Sequence, residues 1–208
     1  MNSRSVCQNG GFMQNISSAK DDMNRQILSA TESLIAEIGI QNLSMRKIAT
    51  QADIALGTLY LYFKMKDDLL NKLAYDLFDR FHCYVTQDYD ENEPFFNQYR
   101  KMFENKLAFL RDNPTVATNL SQYQAMLGFN EIIERTIDDE NFIWNKFVRK
   151  GQQAGVIAKL PAELLHILGI GTVIELCHLQ QVLKKEYSKE TIEEMLLRSW
   201  KAISANQE

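Results

Sequence analysis

Met23, Ile27, Ala30, Leu34 and Ile38 recur at steps of three and four, the spacing that lines one face of a helix with apolar side chains. Residues Ser18 to Asp21 precede them as cap candidates, and Gly39 follows where a helix commonly ends. Ile40 and Leu43 are expected to pack back on that face. Ser44 then stands at an N-cap position, its hydroxyl able to accept a backbone N–H. Behind it Met45, Ile48, Ala49 and Ala52 form a second apolar stripe, with Arg46, Lys47 and Gln51 on the opposite side. Asp53 interrupts the run. Ile54, Leu59 and Phe63 supply a third stripe, while Thr58, Tyr60 and Tyr62 fall on the other side. Two short helices joined by a tight turn make a helix-turn-helix, in which the first helix braces the second and the second presents hydroxyls to a DNA groove.

The remaining pattern predicts helices throughout. Asp67 to Gln87 carries Leu69, Leu70, Leu73, Leu77, Phe78, Phe81 and Val85, and Asp88–Glu93 is an acidic loop. Pro94 suits a helix start, and Phe95 to Arg111 follows. Asn113-Pro114 is a break, then come a shorter helix from Thr115 to about Leu127 and a long one from Asn130 to Ala154. Pro161 to Lys185 is the most apolar helix, hydrophobic over more than one face, so a second subunit is expected to cover part of it. Ser188 to Ser204 is the last, with Ser188 as N-cap candidate. There is no internal repeat and no convincing strand. The expectation is an all-α fold of about nine helices. A flexible arm covers 1–18, a three-helix DNA-binding domain 19–66, and a larger helical domain 67–208.

The run Gly57-Thr-Leu-Tyr-Leu-Tyr-Phe-Lys-Met-Lys-Asp-Asp-Leu-Leu70, with Leu43-Ser-Met-Arg-Lys-Ile-Ala49 upstream, resembles the tetracycline-repressor (TetR/AcrR) family. The specific likeness covers roughly residues 24 to 72. It implies a DNA-binding transcriptional regulator, most simply a repressor released from a palindromic operator by a small lipophilic or amphipathic effector. It assigns effector binding and dimerisation to the domain 67–208, and implies a homodimer through the last two helices, here near 161–185 and 188–204, with Gly169, Gly171 and Ala202 allowing close approach. Ser44, Tyr60, Tyr62 and Lys66 are the candidate phosphate contacts. Arg46 and Thr58 are candidates for base edges, Leu56 for apolar contact with a thymine methyl, and Gly57 for close backbone approach. Three positions depart from the family pattern: Asp53 replaces the usual glycine of the turn, Ala55 a capping Ser or Thr, and Leu56 a frequent polar residue.

Aromatic and Met side chains on the middle helices are candidates to line the effector pocket: Tyr99, Phe103, Tyr123, Met126, Trp144 and Phe147. Glu175 and His178, with His166, are candidates for its polar contacts. Taken alone, each reads more readily as ordinary core packing, the default for a Met-and-aromatic stripe at helical spacing.

The formal charge of −4 on 208 residues argues by itself against nucleic acid. From Ile40 to Lys66, however, four basic residues (Arg46, Lys47, Lys64, Lys66) stand against one acid, Asp53, so a basic face on an acidic body is expected. Cys7, Cys83 and Cys177 are far apart and form no C-x-x-C, which points to reduced thiols and a cytoplasmic protein. No apolar run is read as a membrane span, and the polar first 18 residues have no signal-peptide core. Glu175-x-x-His178 is half of a di-iron pair with no second half. Gly169-Ile-Gly171 lacks the third glycine of a dinucleotide fingerprint. No metal, cofactor or catalytic residue is expected, and the chain is not read as an enzyme. The rival reading is an all-α ligand-binding or protein-interaction dimer that has lost specific DNA binding.

Overall fold

The structure, a computed structural model, describes residues 19–205; the expected arm at 1–18 lies outside them. Among the described residues there are twelve α-helices and no strand, so the all-α expectation holds. They are α1 (Ala19–Ile38), α2 (Met45–Gln51), α3 (Leu56–Tyr62), α4 (Lys66–Thr86), α5 (Phe95–Asp112), α6 (Pro114–Thr118), α7 (Leu120–Gln124), α8 (Leu127–Asp138), α9 (Ile143–Gln153), α10 (Ala162–Leu168), α11 (Thr172–Leu183) and α12 (Lys189–Ile203). A single 3-10 turn, Ile40–Asn42, follows α1.

The chain forms two compact units. The first runs to Asp79 and takes in Asn119–Glu131; the second comprises Arg80–Thr118 and the chain from Ile132 onward. The division thus falls thirteen residues beyond the Lys66 end expected for the first domain, inside α4, and adds a distant segment to it.

In the first unit the apolar stripes converge. Ile27, Ile35, Ile48 and Leu59 are all fully buried. Gly39 ends α1 at φ 77°, a conformation that glycine adopts without a Cβ clash. Ser44 caps α2, its Oγ accepting from Lys47 N at 3.3 Å. Gln26 Nε2 donates to Ala52 O at 2.6 Å, fastening α1 to the end of α2. The segment 119–131 joins this unit by hydrogen bonds from Ile40 N to Gln122 Oε1 (2.8 Å), Gly128 N to Asn71 Oδ1 (3.0 Å) and Tyr75 OH to Glu131 Oε2 (2.8 Å).

The second unit is built on α5, whose Tyr99, Met102, Phe103, Lys106, Phe109 and Leu110 are buried. Tyr99 OH donates to Ser199 Oγ at 2.7 Å, and Ser199 passes its own proton to Leu196 O. Tyr99 and Phe96 lie 5.3 and 5.6 Å from the Trp200 ring, and Arg100 grips Glu193 with both guanidinium nitrogens. These contacts hold α12 against α5.

Three expected helices are broken, the last two at identifiable local hydrogen bonds. Thr115–Leu127 becomes two five-residue helices, α6 and α7. Asn130–Ala154 divides between α8 and α9. The run Asp138-Asp139-Glu140 places negative charge at a helix C-terminus, which opposes the helix dipole. Asp139 Oδ1 then accepts from Asn141 N at 2.8 Å, and Asn145 Nδ2 takes up the carbonyls of Thr136, Ile137 and Asp139. Pro161–Lys185 divides at Gly169–Gly171 into α10 and α11, with Gly171 N bonding back to His166 O at 2.7 Å. Contrary to the expectation of no candidate span, Ala162–Leu183 is long and apolar enough by length and composition to cross a membrane. In this fold it is two helices rather than one rod, with Leu165, Ile170, Val173, Leu176 and Cys177 buried. Cys177 is a free thiol, but Cys83 is disulfide-bonded, which corrects the expectation of three reduced thiols; Cys7 lies outside the described residues.

A Cβ added at Gly171 would stand 2.7 Å from the backbone oxygen of His166, too close to accommodate without moving the chain. Gly171→Ala should therefore cost about 1–3 kcal/mol, read as a lower denaturation midpoint. At the start of α3, Ala55 offers no side-chain hydrogen bond to the helix N-terminus. Ala55→Ser should supply one and raise stability by about 0.5–1 kcal/mol in the same denaturation assay.

Candidate functional site

The two unusual turn positions show how the reading helix is set. Asp53 has φ 52°, in the left-handed region that glycine normally fills and that Asp tolerates better than most residues. The turn is therefore made without its usual glycine. Ala55 is extended (φ −65°, ψ 142°) and starts α3 with Leu59 N bonding to its carbonyl at 3.2 Å. Leu59 and Phe63 are buried, so one side of α3 is fixed against the unit.

What remains outside follows from the 3.6-residue period. Gly57, Tyr60, Leu61 and Lys64 are exposed. Gly57, Tyr60 and Leu61 recur at i, i+3 and i+4 on α3 and so share one face; Lys64 lies beyond the helix end, after the extended Phe63. The space where a Gly57 side chain would be is open. Tyr60, nominated from the sequence, is on this face; Leu56, Thr58 and Tyr62 flank it and are half-buried. Leu61 is not among the sequence candidates, although it follows Gly57 by four and so falls on the same helix face. Leu61 is 77% exposed, which is unusual for a leucine on a small helical unit. Lys64 Nζ rests on Tyr60 O at 3.4 Å.

Arg46 is exposed on α2 and forms no ion pair among the described residues. Its carbonyl accepts from Thr50 Oγ1 at 3.0 Å, a bond that leaves the guanidinium alone. Ser44 is exposed, with its oxygen engaged as the α2 cap. Lys66 is half-buried at the first position of α4, where the leading N–H groups have no partner within the helix. Asp68 Oδ2 reaches back to accept from Met65 N at 3.1 Å, which fixes that helix start. The unit thus presents hydroxyls, two helix starts and the cations Arg46, Lys47, Lys64 and Lys66 in the 23 positions from Ser44 to Lys66, against one carboxylate, Asp53.

The effector candidates divide between the two units. Tyr123 and Met126 are buried in the first, within the segment that bonds to Ile40 and Asn71. Tyr99, Phe103, Trp144 and Phe147 are buried in the second as one aromatic cluster, with centroids 5.5 to 6.5 Å apart between neighbours. Burial pushes the Tyr99 phenol up to about 12, so it remains a neutral donor to Ser199. Trp144 Nε1 donates to Ala162 O at 2.7 Å. Glu175 is exposed and His178 half-buried on α11.

The sequence reading passed over Lys106. It lies on the same α5 stripe as Tyr99, Phe103 and Leu110, at steps of three and four, and is 1% exposed. Its Nζ is 3.3 Å from His166 Nε2 on α10 and 5.6 Å from the centre of the Phe81 ring. Burial draws its amine down to about 7; burial, and then the neighbouring Lys106, hold His166 down to about 3. A lysine at a stripe position was a legible signal for a buried cation.

With this geometry in view, similarity to known proteins is informative. Residues 27–73 match the family described as bacterial regulatory proteins, tetR family, and residues 94–204 match the tetracyclin repressor-like C-terminal domain. An HTH-type transcriptional regulator of Haemophilus influenzae is 40% identical over 185 residues, covering 89% of this chain and 97% of that protein. The crystal structure of a TetR-family transcriptional regulator from the same organism superposes with a TM-score of 0.82 at 40% identity, over 90% of this chain and 99% of that one. The transcriptional regulator FadR from Bacillus subtilis, solved in complex with stearoyl-CoA, shares the fold with a TM-score of 0.70 at 24% identity, over 86% and 98% of the two chains. The matches cover both the reading helices and the larger helical region, and the chain belongs to the TetR family of helix-turn-helix transcriptional regulators.

Proposed function

We propose that this protein is a cytoplasmic homodimeric repressor that reads a palindromic operator and leaves it when a small lipophilic or amphipathic effector binds. The observation that carries the DNA-reading part is the exposed α3 face Gly57–Tyr60–Leu61, with Lys64 just past its end and Arg46 exposed on α2 of the same unit. In this reading Ser44, Tyr60, Tyr62 and Lys66 hold phosphates. Arg46 and Thr58 meet base edges, Leu56 a thymine methyl, and the open space at Gly57 admits the DNA surface. Leu61 extends the apolar part of that contact.

Dimerisation is supported by a second exposed surface. On α10 and α11, Leu164, Ile167, Leu168, Leu179, Val182 and Leu183 are exposed, with Ile167 at 64%. Contiguous apolar area of this kind marks an association surface. Two copies joined there carry two reading heads, which matches a palindrome. FadR of B. subtilis, with its bound stearoyl-CoA, supports an effector of lipophilic or amphipathic character. The aromatic cluster of Tyr99, Phe103, Trp144 and Phe147 in the second unit supplies apolar side chains for such a molecule. α4 belongs to both units and is the covalent route by which a change in one reaches the other.

The direct test is the salt dependence of duplex binding. Lys66→Ala should weaken binding to all sequences alike and lower the slope of log affinity against log salt by about one. An unchanged slope and affinity, measured by fluorescence anisotropy, would remove Lys66 from the interface and contradict this docking.

A further inference from the structure

Lys106 is a buried amine with no anionic partner among the described residues. Charged side chains taken out of water are paired, or else lose their charge. The ionisable groups that act on this amine are His166 on α10 and Cys177 on α11. Neither is a carboxylate, and among the described residues no carboxylate pairs with Lys106. The imidazole is neutral, so its Nε2 accepts one of the three ammonium protons. Cys177 is a buried thiol that burial raises above its usual range, so it too is uncharged. The surroundings are otherwise aromatic. Phe81 lies beside the amine and meets Phe109 edge-on at 5.4 Å, and His166 meets the edge of Trp144 at 5.6 Å. An amine of this kind, drawn down toward neutral pH by burial and without an anionic partner, holds its full charge only when a negative group comes beside it.

We infer that Lys106, steadied by His166, is the seat for the carboxylate head of the effector, whose apolar body lies against Phe81, Trp144 and their aromatic neighbours. This deepens the effector reading given above and rests on it. One buried cation fits a monoanion; the further cation of the cluster, Arg111, which acts on Cys177, is exposed. Lys106 donates to the carboxylate while one of its protons stays on His166.

Access comes from α10. This helix has seven residues, starts after Pro161 and stops at Gly169, and Leu165 is its one buried apolar side chain. Displacing so short an element uncovers Lys106 and moves Leu164, Ile167 and Leu168 with it. These are residues of the surface assigned to the partner copy, so head-group binding and dimer geometry share one element.

The amine must be protonated to hold the anion. Its pKa is about 7 without ligand and rises when the carboxylate binds. Binding therefore has its full strength below pH 7 and, above it, weakens by up to roughly tenfold per pH unit, because a proton must be taken up.

The test is calorimetric titration of the full-length dimer with dodecanoate and with uncharged dodecanol, both below micelle formation, at about pH 6 and about pH 8.5. The wild type should bind dodecanoate at least about tenfold more tightly than dodecanol at the lower pH, with most of that preference gone at the higher. Lys106→Met, which keeps length and apolar packing, should bind both probes alike at either pH. Equal binding of the two probes by the wild type, no saturable dodecanoate binding, or a Lys106→Met protein that keeps the preference would overturn the seat. The wild-type comparison needs no variant, so it stands even where Lys106→Met folds poorly. Operator affinity measured in the same samples separates the two readings. Dodecanoate binding with unchanged operator affinity supports the seat and overturns effector release. Operator release by dodecanol, with the carboxylate without effect, supports release and overturns the seat.

Discussion

The burial of Leu59 and Phe63 decides what this protein can touch. α3 is only seven residues long and would not hold its shape alone in water. Fixing those two side chains inside the first unit, where Ile27, Ile35 and Ile48 are also sealed from solvent, sets the rotation of α3 about its own axis. Gly57, Tyr60 and Leu61 then face outward with no further adjustment. The polar contacts around the helix serve that placement. Gln26 holds the end of α2, Asp53 makes the turn, and Asp68 fixes the start of α4.

Much of this was legible in the sequence because the signals are local. The apolar stripes gave α1 to α5 and α12 nearly to the residue. Ser44 and Ser188 are the caps their positions suggested, with Ser188 Oγ accepting from Thr191 N at 3.2 Å. The absent cap at Ala55 and the missing glycine at Asp53 were also legible, and both appear as a bare helix start and a left-handed turn. The breaks within 115–127, 130–154 and 161–185 were harder. An apolar period continues across a one-turn interruption, so periodicity alone joins what hydrogen bonds to Asp139, Asn145 and His166 separate. The union of 119–131 with the first unit rests on Gln122 and Asn71, contacts more than fifty residues apart in sequence that no local pattern encodes.

For the candidate sites the division has the same cause. Faces follow from spacing, so the exposure of Tyr60 and Leu61 on α3 was legible. Identity within a core does not follow from spacing. Tyr99, Phe103, Trp144 and Phe147 are gathered as a cluster, and each also does ordinary packing work, Tyr99 on Ser199 and Trp144 on Ala162. Lys106 is different because packing does not account for a charged group there. A core that needed only volume at that place would be served by methionine or leucine without the desolvation of an ammonium.

The central claim is that this chain reads DNA as a two-headed dimer. Selection of bound duplexes from a random pool at near-physiological salt tests it most directly. The account predicts enrichment of one palindrome, with both halves lost together when the apolar face of α10 is disrupted by Ile167→Glu. A pool that shows no enriched sequence, from protein shown to be folded and dimeric, would contradict it and favour a binding dimer that no longer reads DNA.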